Sequence, residues 1–310
     1  MGIYLKNKRT IINVIKIFIL ICAYTYIYFK FKEIRFTEIS EFSNYQYLIY
    51  VILLMPINWL FESKKWQLLI SKFEDISLLQ SFKAIFTGIT TSVFTPNRVG
   101  EFVGRVMFVS EDNRAKAVVS TIIGSYSQVL ITFIIGAFSF FFINKGQINF
   151  IDNNLYLKWV FVVIAVILVI LFFNMRVFKL IFGRYNNKHI ISIVDTVSGY
   201  SFFELLKVIV ISFLRYVVFF IQFYLLLVFF NVDITLFESF ITVGLFYLFL
   251  MFIPTFVISE PGVRISTSIM VFSFYVNDIS MIVYTVSLLW VINIVLPTLL
   301  GSVLLIKRKI

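Results

Sequence analysis

The chain has 310 residues, of which 60% are hydrophobic, 19% aromatic and 14% charged, with a mean hydropathy of +0.97; this composition excludes a water-soluble domain as the principal structure. The net charge of +11 does not point to nucleic acid, because the basic residues are spread among short loops between apolar runs and never form one tract. The single cysteine, Cys22, excludes an intrachain disulfide, and one histidine, His189, with one cysteine cannot build a zinc centre, so no metal or cofactor is expected.

Taken in chain order, Lys6, Lys8 and Arg9 precede an apolar run from Ile11 to Phe29. The run is too long for a signal-peptide core and lacks an A-x-A cleavage pattern, so an uncleaved first helix is expected. Spanning helices are expected at 10–30, 46–62, 117–143, 156–175, 205–230 and 280–305, each long enough to cross most or all of ~30 Å of hydrocarbon. Two further segments, 80–110 and 236–276, are apolar but interrupted by proline, glycine and charge, so each is a helix pair or a re-entrant hairpin. The expected fold is all-α, a polytopic transmembrane helical bundle of about eight membrane segments forming one domain over 1–310.

With the N-terminus in the cytoplasm, the inner regions collect Lys6, Lys8, Arg9, Lys64, Lys65, Lys72, Lys83, Arg114, Lys116, Arg176, Lys179, Arg184, Lys188, Lys207, Lys307, Arg308 and Lys309. The outer loops hold only Lys30, Lys32, Arg35, Lys145 and Lys158. Both termini are therefore expected to be cytoplasmic, in the inner membrane of a bacterial cell. The segment 63–80, "SKKWQLLISKFEDISLLQ", mixes apolar residues with lysines and reads as a helix lying in the inner interface or as a solvated basic loop.

The segment "TTSVFTPNRVGEFVGRVMFV" (90–109) concentrates the unusual residues. Arg98, Glu101 and Arg105 are spaced i, i+3, i+7, which puts them on one face of a helix starting just after Pro96, with Thr95 as its cap and Gly100 in its first turn. The apolar run 82–94 would cover only about 20 Å as helix, so a hairpin entering from the cytoplasmic side fits better than a full crossing. Irregular backbone at membrane depth must be buried in protein or line a wet cavity. Residues 252–272, "FIPTFVISEPGVRISTSIMVF", repeat the ingredients with Glu260, Pro261, Gly262 and Arg264, and would enter from the outer face. Paired broken segments mark a substrate site between two halves.

Arg215 lies in the middle of an apolar run, with Gln222 on the same face. Arg98, Arg105, Arg215 and Arg264 against Glu101 and Glu260 leave two positive charges in excess at membrane depth. An unpaired charge there costs ~3 kcal/mol or more, so an anion is expected to complete the set. Arginine forks suit phosphate, and in a membrane that phosphate belongs to a lipid headgroup. The candidate substrate-binding residues are therefore Arg98, Glu101, Arg105, Arg215, Glu260 and Arg264, with Pro96, Gly100, Pro261 and Gly262 as shaping residues.

"FTPNRVGEFVGR" (94–105), then "AVVSTIIGSYSQVLITFIIG", "LRYVVFFIQFYLLL" (214–227) and "SEPGVR" (259–264) together resemble the lysylphosphatidylglycerol synthase/flippase transmembrane-region family. The resemblance implies a polytopic helical domain associated with moving a lipid between leaflets. It carries Pro96, Arg98, Gly100, Glu101, Glu260, Gly262 and Arg264 over as motif residues. Bifunctional members append a soluble lysyl-transfer domain, which is not expected here because the sequence stops at "LLIKRKI"; Pro261 stands where leucine or glycine is more usual.

The expected function is a lipid translocase or lipid-binding transporter for an anionic or phosphate-bearing lipid, not an enzyme. Its expected partners are a membrane phospholipid or polyprenyl-phosphate-type lipid, and enzymes of envelope lipid or glycolipid biosynthesis. Two alternatives stand beside it: an intramembrane lipid or glycosyl transferase with Glu101 or Glu260 as base, and a non-transporting accessory subunit of envelope lipid synthesis.

Overall fold

The computed structural model describes residues 44–93, 95, 98–143, 155–175, 188–254 and 259–307. The expected span at 10–30 and the motif residue Pro96 lie outside the described residues. Those described form an all-α bundle.

The first helix among the described residues, α1 (Tyr45–Ile70), has 26 residues and is about 39 Å long at ~1.5 Å per residue. It runs past the expected end at 62, through "SKKWQLLI", so the first part of 63–80 is the last two turns of α1 rather than a separate interfacial helix. The reason is burial: Ser63, Lys65, Trp66, Leu69 and Ile70 all point into protein. Ser63 Oγ donates to the Trp59 carbonyl at 2.8 Å and Lys65 Nζ to the Gly124 carbonyl at 3.0 Å, so these polar groups need no water.

Next come α2 (Leu78–Ser92) and α3 (Gly100–Val106). Ser77 starts α2 through a reciprocal capping box with Gln80. The two helices lie so close that a Cβ on Gly104 would stand 2.5 Å from Gly88 Cα, and one on Gly100 2.2 Å from the Thr91 carbonyl oxygen. Thr91 Oγ1 donates to the Gly100 carbonyl at 2.7 Å; the helix starts at Gly100 with Val99 at its N-cap, later than expected, so Thr95 is not the N-cap, although its Oγ1 accepts from the Gly100 N–H at 2.6 Å. Before and after this pair, Glu74 accepts from the Ser110 N–H at 3.0 Å, the Ser110 hydroxyl at 2.7 Å and the Asn113 amide at 3.1 Å. The chain thus returns to the end from which it left, and 80–110 is a helical hairpin.

Beyond a short 3₁₀ turn (Glu111–Asn113) follow α4 (Arg114–Phe142), α5 (Leu155–Phe173), the short α6 (Lys188–Ser198) and α7 (Phe202–Phe229). The second broken segment folds as α8 (Leu236–Phe252) and α9 (Glu260–Phe272), and the last span as α10 (Ser280–Trp290), a π turn (Val291–Val295) and α11 (Leu296–Lys307). Glu111–Phe142, Phe202–Phe229 and Ser280–Leu305 are long and apolar enough to cross a membrane. On α5, Val160, Val163, Ile164, Val166, Ile167 and Ile170 are exposed, an apolar face suited to lipid.

Helix directions follow from cross-contacts. Gln222 donates to the Val51 carbonyl at 2.9 Å and Arg215 to Asn58 at 3.0 Å, so α7 runs antiparallel to α1. The Ser81 hydroxyl donates to the Ser63 carbonyl at 2.6 Å, placing the base of the first hairpin near the C-terminal end of α1. Phe229, the last residue of α7 and followed by a short connection to α8, packs its ring 6.1 Å from Tyr45 at the opposite end of α1. The two hairpins therefore enter from opposite ends of the bundle. Glycine contacts fasten α8 to α4, where a Cβ on Gly244 would meet Ser139 Oγ at 2.1 Å, and Thr90 of α2 donates to the Thr298 carbonyl of α11 at 3.0 Å.

Candidate functional site

On α1, Asn58, Glu62 and Lys65 recur at i, i+4, i+7 and form one polar stripe. Glu62, 4% exposed, is shared by three cations. Lys65 Nζ and Arg105 Nη2 each lie 2.9 Å from its carboxylate, and Arg215 Nη1 pairs with its second oxygen. Arg215 also donates through Nε to Asn58 Oδ1 at 3.0 Å and stacks its guanidinium over the Trp59 ring at 5.4 Å. Arg105, 2% exposed, bonds Glu101 as well, four residues earlier on α3.

A second carboxylate joins the hairpin tips. Arg98 of the first hairpin donates Nη2 to both oxygens of Glu260 at 2.7 and 3.0 Å. Arg264, one turn along α9, donates Nε to Glu260 at 2.9 Å. Arg98 is not on the helical face with Glu101 and Arg105, as its spacing predicts: it lies before α3 in the turn, with φ at +58°. A left-handed conformation is costly for a residue with a Cβ. Here it aims the guanidinium across to the opposite hairpin, while Arg105 turns back to α1.

Between these groups lies a cavity of 330 Å³. Trp59, Glu62 and Lys65 of α1, Arg98 and Glu101 of the first hairpin, Gln128 and Val129 of α4, Arg215 and Tyr216 of α7, and Tyr247 and Arg264 of the second hairpin line it. Trp290 and Asn293 complete the wall beside the π turn, a distortion that recurs at functional sites. Of the expected binding residues, Arg98, Glu101, Arg215 and Arg264 face the cavity, whereas Arg105 and Glu260 stand behind them and hold them in place. Among the shaping residues, Gly100 is needed for hairpin packing, Pro261 lies in the first turn of α9, and Gly262 borders open space.

Two residues of the network, Glu62 and Lys65, were not expected there. Lys65 is read from sequence as a loop residue that fixes topology, yet it is 1% exposed. The signal for both was the Asn58–Glu62–Lys65 stripe, hidden by ending the span at 62. Together they add one negative and one positive charge, so five cations (Lys65, Arg98, Arg105, Arg215, Arg264) face three carboxylates (Glu62, Glu101, Glu260) and the excess of two positive charges persists among the described residues.

Chemically, the site offers hydrogen-bond donors held in place by ion pairs, with Arg215 buried and Arg98 partly exposed. Trp59 Nε1 and the Tyr216 hydroxyl are buried with no hydrogen-bond partner among the described residues, and both side chains line the cavity. Comparison with curated proteins and with solved structures finds no match. The model of the family described as the lysylphosphatidylglycerol synthase TM region matches residues 13–301, a stretch that contains both hairpins and every residue of the charge network. The chain belongs to that family of lipid-handling membrane domains.

Proposed function

We propose that the protein is a lipid translocase, or a lipid-binding membrane transporter, for an anionic phosphate-bearing lipid, and that it carries out no bond chemistry of its own. The observation that carries this is the excess of two positive charges around a 330 Å³ cavity where two oppositely directed hairpin tips meet. A structural ion network in a membrane should be near neutral, because each unmatched charge is expensive. A phosphate headgroup supplies the missing negative charge, and guanidinium forks hold its oxygens bidentately.

In this scheme the headgroup enters past Val129, which lines the cavity and is 40% exposed, while acyl or prenyl tails remain in lipid. Phosphate oxygens compete with Glu260 for Arg98 and Arg264, which loosens the ion pair joining the tips. Rocking of one hairpin against the other then exposes the cavity to alternate sides. The sequence has no G-x-x-x-x-G-K-[ST] motif, so in this scheme movement is downhill or ion-coupled rather than driven directly by ATP. In this scheme the protein resides in the inner membrane with cytoplasmic termini, beside enzymes that make envelope phospholipids or polyprenyl-phosphate-type lipids.

The test is leaflet exchange of headgroup-labelled phosphatidylglycerol in proteoliposomes. Wild type accelerates exchange, and Arg98→Gln and Arg264→Gln, reconstituted at equal folded amounts, slow it at least about tenfold, as expected from ~1.5–3 kcal/mol per hydrogen bond to a charged group. Exchange at the wild-type rate in both variants contradicts the proposal, and conversion of the lipid to a new product would favour the transferase alternative.

A further inference from the structure

Resting on the headgroup site proposed above, we infer that the cavity selects a phosphate dianion, the group of a phosphomonoester, over a phosphodiester monoanion and against a cationic aminoacyl headgroup. The charged groups divide into two clusters. Glu62 and Glu101 with Lys65, Arg105 and Arg215 carry one net positive charge, and Glu260 with Arg98 and Arg264 carries another. Both clusters contribute to the lining of the same cavity. One phosphodiester would neutralise only half of this excess, whereas a phosphomonoester above its second pKa of about 6 carries close to two negative charges and three acceptor oxygens.

The donors match that count. Among the described residues Arg98 donates through Nη2, Arg264 through Nε and Nη2, and Arg215 through Nε and Nη1, so each guanidinium keeps N–H groups for a ligand. The unpartnered Trp59 Nε1 and Tyr216 hydroxyl add neutral donors. For a lysyl-type ammonium no unengaged carboxylate stands among the described residues of the lining, where Asn293 Oδ1 is only a neutral acceptor. Glu62 already serves three cations, Glu260 two and Glu101 one, and the Trp59 and Phe219 faces are covered by Arg215 at 5.4 and 5.6 Å. A second ammonium in this cavity would meet like charge. The 330 Å³ volume is at the small end of ~300–1,000 Å³ ligand pockets and suits a compact headgroup.

The experiment is competition binding by native mass spectrometry at pH 8, with full-length protein and equimolar phosphatidic acid, phosphatidylglycerol and lysylphosphatidylglycerol. A parallel arm adds sn-glycerol 3-phosphate. The expected result is phosphatidic acid bound at least tenfold over phosphatidylglycerol, lysylphosphatidylglycerol bound least, and the preference collapsing in Arg264→Gln, which removes one of the two excess charges. Should that variant fail to fold, Tyr216→Phe, which keeps every charge, is expected to weaken phosphatidic acid several-fold more than phosphatidylglycerol. Displacement by sn-glycerol 3-phosphate assigns the dianion site to a soluble phosphate, and no displacement assigns it to a lipid. Equal binding of phosphatidic acid and phosphatidylglycerol, or preference for the lysyl lipid, overturns the dianion inference while leaving an arginine-dependent headgroup site. Binding of all three lipids equally by wild type and variants overturns that site as well.

Discussion

Glu62 is where most of the buried charge converges, since α1, α3 and α7 each bring a cation to its two oxygens. Glu62→Gln leaves Lys65, Arg105 and Arg215 mutually repelling in a buried site, and breaking a buried ion pair in this way costs ~3–5 kcal/mol. The expected outcome is a large fall in the thermal midpoint of the detergent-solubilised protein, partly recovered in Glu62→Gln/Arg215→Gln, where one unmatched cation is also removed. A midpoint unchanged in the single variant would show that the carboxylate is not shared. The arginines of this network were legible in the sequence because charge inside an apolar run stands out. Glu62 and Lys65 were not, because at the edge of a run a charge is equally well explained by the membrane surface.

A second residue-scale effect lies outside the membrane-spanning segments, in the loop after α1. Burial alone would raise the Glu74 carboxyl, but donation from the Ser110 hydroxyl and backbone and from Asn113 outweighs it and holds the group below its ordinary value of 4.5. For a carboxylate lowered in the folded state, the stabilisation is fully present above pH 4.5 and is lost as pH falls through the lowered folded value. Glu74→Gln is therefore expected to lower the thermal midpoint at pH 7, with the difference from wild type narrowing as the pH is taken well below 4.5. A difference independent of pH would contradict the assignment.

At the scale of elements, the first hairpin depends on backbone contact between α2 and α3. Gly104→Val puts side-chain carbons where Gly88 Cα now lies, 2.5 Å from the new Cβ. Overpacking of this kind typically costs ~1–3 kcal/mol, and here it also displaces the turn that holds Arg98. The expected outcome is a hairpin opened enough to lose exchange activity while α1, α4 and α7 remain folded, read as near-native helical circular dichroism with loss of transport. Retained transport would contradict the packing. Much of this level was legible. Pro/Gly interruption marked both hairpins, whereas the capping boxes that begin α2, α7 and α8 are a finding of the structure. The exact turn was not legible, since the left-handed backbone at Arg98 carries no composition signal and puts the residue off the helix to which its spacing assigns it.

For the whole molecule, the oppositely directed hairpins make a topological prediction. In a Cys22→Ser background, Glu111→Cys near the base of the first hairpin and Asn277→Cys near that of the second should react with a membrane-impermeant thiol reagent from opposite sides of a sealed vesicle. Labelling from the same side would contradict the arrangement. The all-helical bundle was legible from hydropathy alone, because hydrocarbon admits few other folds for such a chain. The meeting of Arg98 with Glu260, 162 positions apart, was not, because it depends on how deep each tip reaches.

The most direct test of a phosphate headgroup held between the tips is mass spectrometry of lipids that co-purify with wild type, Arg98→Gln and Arg264→Gln at matched folded yield. One phosphate-bearing lipid enriched by wild type and lost from both variants is the predicted result. The same bulk-lipid profile in all three would contradict it and return the arginines to a purely structural role.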